Sequence, residues 1–492
     1  MSQQETPLFT GLVHYIKNNP IPFHIPGHKK GNGMDPEFRE FIGENALKID
    51  LINIAPLDDL HQPHGMIQQA QKLAAEAFGA DETFFSVQGT SGAIMTMVLA
   101  VCSPGDKILV PRNVHKSVLS AIIFSGALPI FIYPEVDREL GISHGISTEA
   151  VKHALQAHPD AKALLVINPT YFGVSANLKE IVEVAHGFNV PVLVDEAHGI
   201  HIHFHEKLPM SAMQAGADMS ATSIHKLGGS LTQSSVLNVK RGRVSPQRVQ
   251  AVLSMLTTTS TSYILLASLD AARRHLATEG HKEISRAIEL ADHARNQINQ
   301  IEGLYSPGEE ILHSKATTAL DPTKVLISVK KLGIKGYDAE VWLRENYRIE
   351  VELSDLYNIL CLVTSGDDEA SIQSLINGLR ALSDTFKQNG KDPIHKEMPV
   401  HVPQMPKLAL SPRDAFYAQT EFVPYEESVG RIIAEFVMVY PPGIPIFTPG
   451  EIITKENLDY IKENMDAGLP VQGPEDPALK TLKVVQEIAP IE

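Results

Sequence analysis

The chain has 492 residues, 43% of them apolar and 20% charged, which excludes a single small domain and an intrinsically disordered chain. Its 42 basic and 58 acidic residues leave a formal charge of −16, which argues against nucleic acid or anionic lipid as a partner and favours cationic small molecules. Cys102 and Cys361 sit in apolar runs, so no disulfide framework or thiolate metal site is expected; no leader pattern and no stretch of about 18 apolar residues is found, which points to the cytoplasm.

In chain order, an apolar run at 83–87 leads into Gly89-Thr-Ser-Gly92 and then a helical pattern at 93–102. Strands are expected at 107–110, 128–133, 163–167, 191–195, 219–223 and 234–239, with helices at 147–156 and 178–188 between them. Strand-then-helix repetition predicts an α/β domain with a mostly parallel sheet. A long helix is expected over 265–301. Strands at 322–329, 349–353 and 358–363 with helices at 338–345 and 369–382 then predict a smaller α+β domain. The proline-rich stretch 390–412 reads as an irregular crossing, and Tyr440-Pro-Pro-Gly-Ile-Pro445 with Pro449-Gly-Glu451 as a stiff array of turns.

Three pieces of this pattern carry chemistry. The backbone amides of Gly89-Thr-Ser-Gly92 would open a helix with two hydroxyls beside them, as a bound phosphate requires, although such a sequence is commonly a plain N-cap. Val192-Leu-Val-Asp-Glu-Ala-His198 ends an apolar strand in Asp195, where an acid can keep a pyridine nitrogen protonated or simply cap a turn. Ser223-Ile-His-Lys-Leu-Gly-Gly229 places Lys226 at another strand end; desolvation or nearby positive charge there would free its amine to form a Schiff base with an aldehyde. Ser223 and His225 are placed to add hydrogen bonds to the same phosphate. Each piece alone has an ordinary structural explanation. The order phosphate loop, aspartate, lysine, all on strand ends of one domain, is far more specific.

That order resembles the fold type I, aspartate-aminotransferase-like enzymes that use pyridoxal 5′-phosphate. Phe23-His-Ile-Pro-Gly-His-Lys-Lys-Gly31, Asp58-Asp-Leu-His61, Pro111-Arg-Asn-Val-His-Lys-Ser117, Ser223-Ile-His-Lys226 and Pro441-Pro-Gly-Ile-Pro445 are similar to signatures of the ornithine/lysine/arginine decarboxylase family. The resemblance implies that Lys226 carries the coenzyme, that Asp195 meets its pyridine nitrogen, and that His115 stacks on its ring. It further implies that Thr90, Ser91, Gly92, Ser223 and His225 hold the phosphate, with His198 near the coenzyme. Thr259 and Ser260 of Thr257-Thr-Thr-Ser260 would reach a neighbouring subunit's coenzyme, and Glu352 would meet the distal cation of a basic amino acid. His225 or Lys226 would return a proton to the α-carbon.

The domains expected on this basis are an N-terminal arm and dimer-contact segment at 1–65 and a large coenzyme domain at 66–300. A small α+β domain at 301–390 and a C-terminal segment at 391–492 follow. The chain starts almost at the His-Ile-Pro-Gly-His motif, without the receiver-like wing domain of the larger bacterial members, and so resembles the short Gram-positive members that act on arginine. The expected activity is decarboxylation of L-arginine to agmatine for polyamine synthesis by a homodimer or higher homo-oligomer, with lysine or ornithine as alternative substrates. A rival from another class is an amidohydrolase-like metal site, because His198, His201, His203 and His205 would alternate along a strand; it lacks further ligands at later strand ends, and no metal is expected. A third reading, a non-catalytic relative, is opposed by the presence of Lys226.

Overall fold

The computed structural model describes residues 2–387, 403–439, 444–466 and 470–486. Its main sheet is built from β1 (Glu82–Ser86), β2 (Lys107–Pro111), β3 (Leu128–Ile132), β4 (Ala163–Ile167), β5 (Val192–Asp195), β6 (Met219–Ser223) and β7 (Ser235–Val239). They hydrogen-bond in the order β1-β7-β6-β5-β4-β2-β3. Pairing is parallel for β2 with β3, β2 with β4 and β5 with β6, whereas β7 runs antiparallel to both β1 and β6. The expected mostly parallel sheet is present, with one reversed strand.

The strands β4 and β5 are near-continuous apolar runs because both of their faces are covered; Ala163, Leu164, Leu165, Val192, Leu193 and Val194 are all fully buried. The helix after β1, α1 (Gly89–Val101), is apolar on most sides, as a helix inside the protein must be. Gly89 enters it at φ +66, in the region that favours glycine.

The chain divides into two compact units: Met1–Val101, Leu165–Asn168 and Leu178–Ser285 in the first, and Cys102–Leu164, Pro169–Asn177 and Arg286–Glu492 in the second. In the first, Asp58 is a structural acid rather than a chemical one. Its buried carboxylate accepts backbone N–H groups from Asp59, His64, Gly65, Ile67 and Gln68, closing the start of the helix Met66–Phe78.

The second unit contains a three-stranded antiparallel sheet of β8 (Lys324–Ser328), β9 (Leu353–Ser354) and β10 (Asn358–Leu362), ordered β8-β10-β9. Val325, Ile327 and Ile359 pack there against Leu343, Ile376 and Leu379 of two helices, Gly336–Tyr347 and Glu369–Lys387. The strand expected over 349–353 is reduced to Leu353–Ser354, because the preceding helix ends at Arg348 in the left-handed region (φ 56) and the chain is still turning. In the same unit Arg112 is 1% exposed and grips Glu451 through two hydrogen bonds of 2.6 and 2.8 Å, while also donating to the carbonyls of Pro445 and Ile446. The expected crossing at 390–412 falls largely outside the described residues, as do 440–443 of the proline-rich array. Ile444–Phe447 is a strand paired with Val437–Val439. Among the described residues, no helix is long and apolar enough to cross a membrane.

Candidate active site

Most of the expected site residues lie in the first unit, around the carboxyl ends of β5 and β6 and the N-terminus of α1. This is where an α/β sheet gathers ligands, since chain reversals expose backbone groups beyond the strand ends. The hydroxyl of buried Thr90 meets that of Ser223 and lies 2.8 Å from that of Ser235. Ser223 and Ser235 face each other across the β6–β7 register, which brings three hydroxyls together at a helix N-terminus. Ser91 is exposed beside them. Gly92 packs closely: a Cβ there would stand 2.7 Å from the Cβ of Gln88.

Asp195 ends β5 with its carboxylate accepting from the Ala197 N–H at 3.2 Å. Burial pushes its carboxyl up to about 6, against the opposing pull of the Lys226 charge. Lys226 sits in the single helical turn Ile224–Leu227 that follows β6, half-buried, with Nζ 2.8 Å from Nε2 of buried His198. That turn closes only on glycine, since a Cβ at Gly228 would lie 2.8 Å from the Ile224 carbonyl oxygen. His225 donates through Nδ1 to the Ser234 carbonyl at 2.9 Å, which fixes its ring.

The histidine run behaves differently from the alternating strand that the metal-site rival requires. Ile200–Phe204 is a 3₁₀ helix, so the side chains point in separate directions. His198 faces Lys226, His203 donates to Glu196 at 2.9 Å, and His205 bonds Ser285 at 2.9 Å and stacks on His281. His205, Glu206 and His281 do bring ligand-type atoms together. Both ring nitrogens of His205 are already engaged, by the Lys207 N–H and by Ser285.

Four other expected residues lie on other segments of the chain. His115, in the second unit, is exposed and caps the helix Lys116–Ser125 by accepting from the Ser117 N–H. Glu352, also in the second unit and exposed, accepts from the Tyr171 hydroxyl at 2.6 Å and lines an open groove of about 500 Å³ with Glu350 and Asp367. Thr259 and Ser260 are exposed in the loop after the helix Pro246–Leu256, in the first unit. Two further residues escaped the sequence reading. Ser235 carries no motif, and only the register of the reversed strand reveals it; fully buried Glu196 was hidden by its neighbour Asp195.

Residues 6–371 match the family described as Orn/Lys/Arg decarboxylase, major domain, and residues 395–470 the C-terminal domain of the same family. The chain belongs to the Orn/Lys/Arg decarboxylase family. Among relatives in this family, the arginine decarboxylase of Bacillus anthracis is 69% identical over 491 residues, covering 100% of this chain and 99% of that one. The arginine decarboxylase of Bacillus subtilis (strain 168) is 67% identical over 487 residues, 99% of each chain. Among solved structures, the lysine decarboxylase LdcF of Francisella novicida superposes with a TM-score of 0.86 at 24% identity, over 98% of this chain and 81% of that one. The E. coli constitutive lysine decarboxylase gives 0.85 at 24%, over 98% and 82%. The family's fold, a mixed and mostly parallel main sheet with a smaller C-terminal domain, is the one described above.

Proposed function

We propose that this decarboxylase uses pyridoxal 5′-phosphate to remove the α-carboxylate of L-arginine, yielding agmatine and carbon dioxide for polyamine synthesis. The observation that carries arginine is the near-full-length identity to the two Bacillus arginine decarboxylases, far above that to the lysine decarboxylase structures. The coenzyme is supported by the chemistry of the donor set. Buried hydroxyls of Thr90, Ser223 and Ser235 at a helix N-terminus suit a phosphate, buried Asp195 suits a pyridine nitrogen, and the Lys226 amine suits an aldehyde.

When bound, the coenzyme supplies an electron sink for the pair left on the α-carbon as carbon dioxide departs. Lys226 would be the residue that holds the coenzyme's aldehyde, through its side-chain amine. His198 Nε2 accepts the proton that the Lys226 ammonium must shed before its amine is nucleophilic. Asp195, buried and reluctant to ionise alone, becomes a stable anion once a cation faces it. His115 would stack on the bound coenzyme's ring, while Thr90, Ser91 and Ser223, with His225, would hold its phosphate. Lys226 or His225 delivers the proton that replaces the carboxylate. Glu352, its carboxylate steadied by Tyr171, pairs with the guanidinium, which can offer two parallel hydrogen bonds.

The reading includes at least a homodimer, in which Thr259 and Ser260 serve the neighbouring subunit's coenzyme phosphate. The exposure of both residues supports it, as does that of Phe23 and Phe41 on the N-terminal arm. A cytoplasmic location is supported by two buried free thiols. Carbon dioxide release from arginine, lysine and ornithine tests the substrate. Arginine is expected to exceed both others in kcat/KM, and a preference for either of them overturns the assignment.

A further inference from the structure

Directly after Asp195 lies a second acid that none of the chemistry above uses. Glu196 is 0% exposed. Its Oε1 accepts the Ala212 N–H at 2.7 Å, and its Oε2 accepts from the Thr222 hydroxyl at 3.1 Å and from Nε2 of His203 at 2.9 Å. The main chain is held at the same place: the Glu196 N–H donates to the Ala221 carbonyl at 3.0 Å, and the Glu196 carbonyl accepts the Gly199 N–H at 2.9 Å.

Glu196 and two of its anchors, Thr222 and His203, belong to segments that carry site residues. Glu196 itself follows Asp195 and precedes His198 by two positions. Thr222 precedes Ser223 on β6. The His203 anchor secures the 3₁₀ turn that leaves His198. One carboxylate therefore ties the end of β5, the end of β6 and the turn between them. A carboxylate is the side chain that can accept all three donors at once, whereas an amide of the same shape would present its NH₂ to one of them.

We propose that Glu196 is a positioning residue, whose buried carboxylate, clamped by His203, Thr222 and the Ala212 amide, holds Asp195, His198 and Ser223 in the single arrangement that the coenzyme requires. The inference rests on the pyridoxal-phosphate reading given above. Glu196 touches neither substrate nor coenzyme; it acts through the residues on either side. Displacement of reacting groups by about 1 Å can cost on the order of a hundredfold in rate, so a lost anchor is read in kcat more than in substrate affinity.

The test compares Glu196→Gln, His203→Gln and His203→Leu with the wild-type holoenzyme. It measures kcat and KM for arginine, the dissociation constant of pyridoxal 5′-phosphate by titration of coenzyme-free protein, and the visible absorption band of the bound coenzyme. In Glu196→Gln, kcat is expected to fall about ten- to a hundredfold with KM within about twofold. The coenzyme dissociation constant should rise, and the absorption band should shift. His203→Gln, which keeps an N–H donor for Glu196, should retain more activity and tighter coenzyme binding than His203→Leu. Wild-type kcat, coenzyme affinity and absorption in a folded Glu196→Gln overturn the proposal, as do equal losses in the two His203 variants. If Glu196→Gln fails to fold, the His203 pair decides alone. Failure of the underlying reading looks different: the wild-type protein then binds no coenzyme or releases no carbon dioxide from arginine, and both readings fall together.

Discussion

Lys226 and Asp195 face opposite electrostatic demands in one buried site. In the proposed chemistry the amine must lose a proton to react, and His198 Nε2, 2.8 Å away, is placed to accept it. Lys226→Ala should abolish turnover and the visible coenzyme band together; measurable steady-state carbon dioxide release by the variant would refute its role. For Asp195, the folded coenzyme-free protein binds a proton more tightly than the unfolded chain, because burial lifts the carboxyl from 3.8 to about 6. That contribution to stability is complete below about pH 4 and is lost as the pH rises through about 6, an effect on the order of 3 kcal/mol. Coenzyme-free Asp195→Asn should accordingly melt above the wild type near pH 7.5 and level with it near pH 4, while decarboxylating far more slowly. Identical melting at both values would mean that the burial cost is absent.

At the scale of elements, Arg112 and Glu451 join a signature segment at the end of β2 to the end of the proline-rich array, distant in sequence. Both side chains are 1% exposed, so removing one partner strands the other's charge away from water. Glu451→Gln is predicted to lower unfolding free energy by about 3–5 kcal/mol, read from denaturant midpoints. The paired replacement Arg112→Met with Glu451→Leu should recover much of that loss, and a double variant no more stable than the single one would contradict this account. The strands of the main sheet were legible in sequence to within a residue or two at either end because covered parallel strands are short, apolar and bounded by turns. Period alone misled at His201, His203 and His205. Polar residues at every second position look like a strand, but after Gly199 the chain turns into a 3₁₀ helix in which Ile200 and Ile202 are buried together with His201. Asp195 and Lys226 stood out in the sequence through their order on strand ends of one domain after a glycine-rich helix start, not through either residue alone. Ser235 did not, because its place beside Thr90 follows from a reversed strand whose pairing no local pattern encodes.

For the whole molecule, the reading predicts sites assembled from two copies of the chain. Lys226→Ala and Ser260→Ala fail in different parts of the site. Mixing the two inactive or weakened variants and allowing subunits to exchange should generate mixed dimers with one intact site, and activity should rise above that of either alone. Activity no greater than the sum of the separate proteins would place Ser260 in its own subunit's site or outside the chemistry altogether. The architecture also sets a schedule for synthesis. Thr90 lies 133 residues before Ser223 and 145 before Ser235, the two hydroxyls that complete its cluster. A growing chain that has only just released α1 from the ribosome possesses the glycine turn but none of its partners, and must keep an apolar helix from aggregating until β6 and β7 arrive. If these hydroxyls hold the coenzyme phosphate as proposed, its capture is a late step in biogenesis, open only to a chain already translated past Ser235.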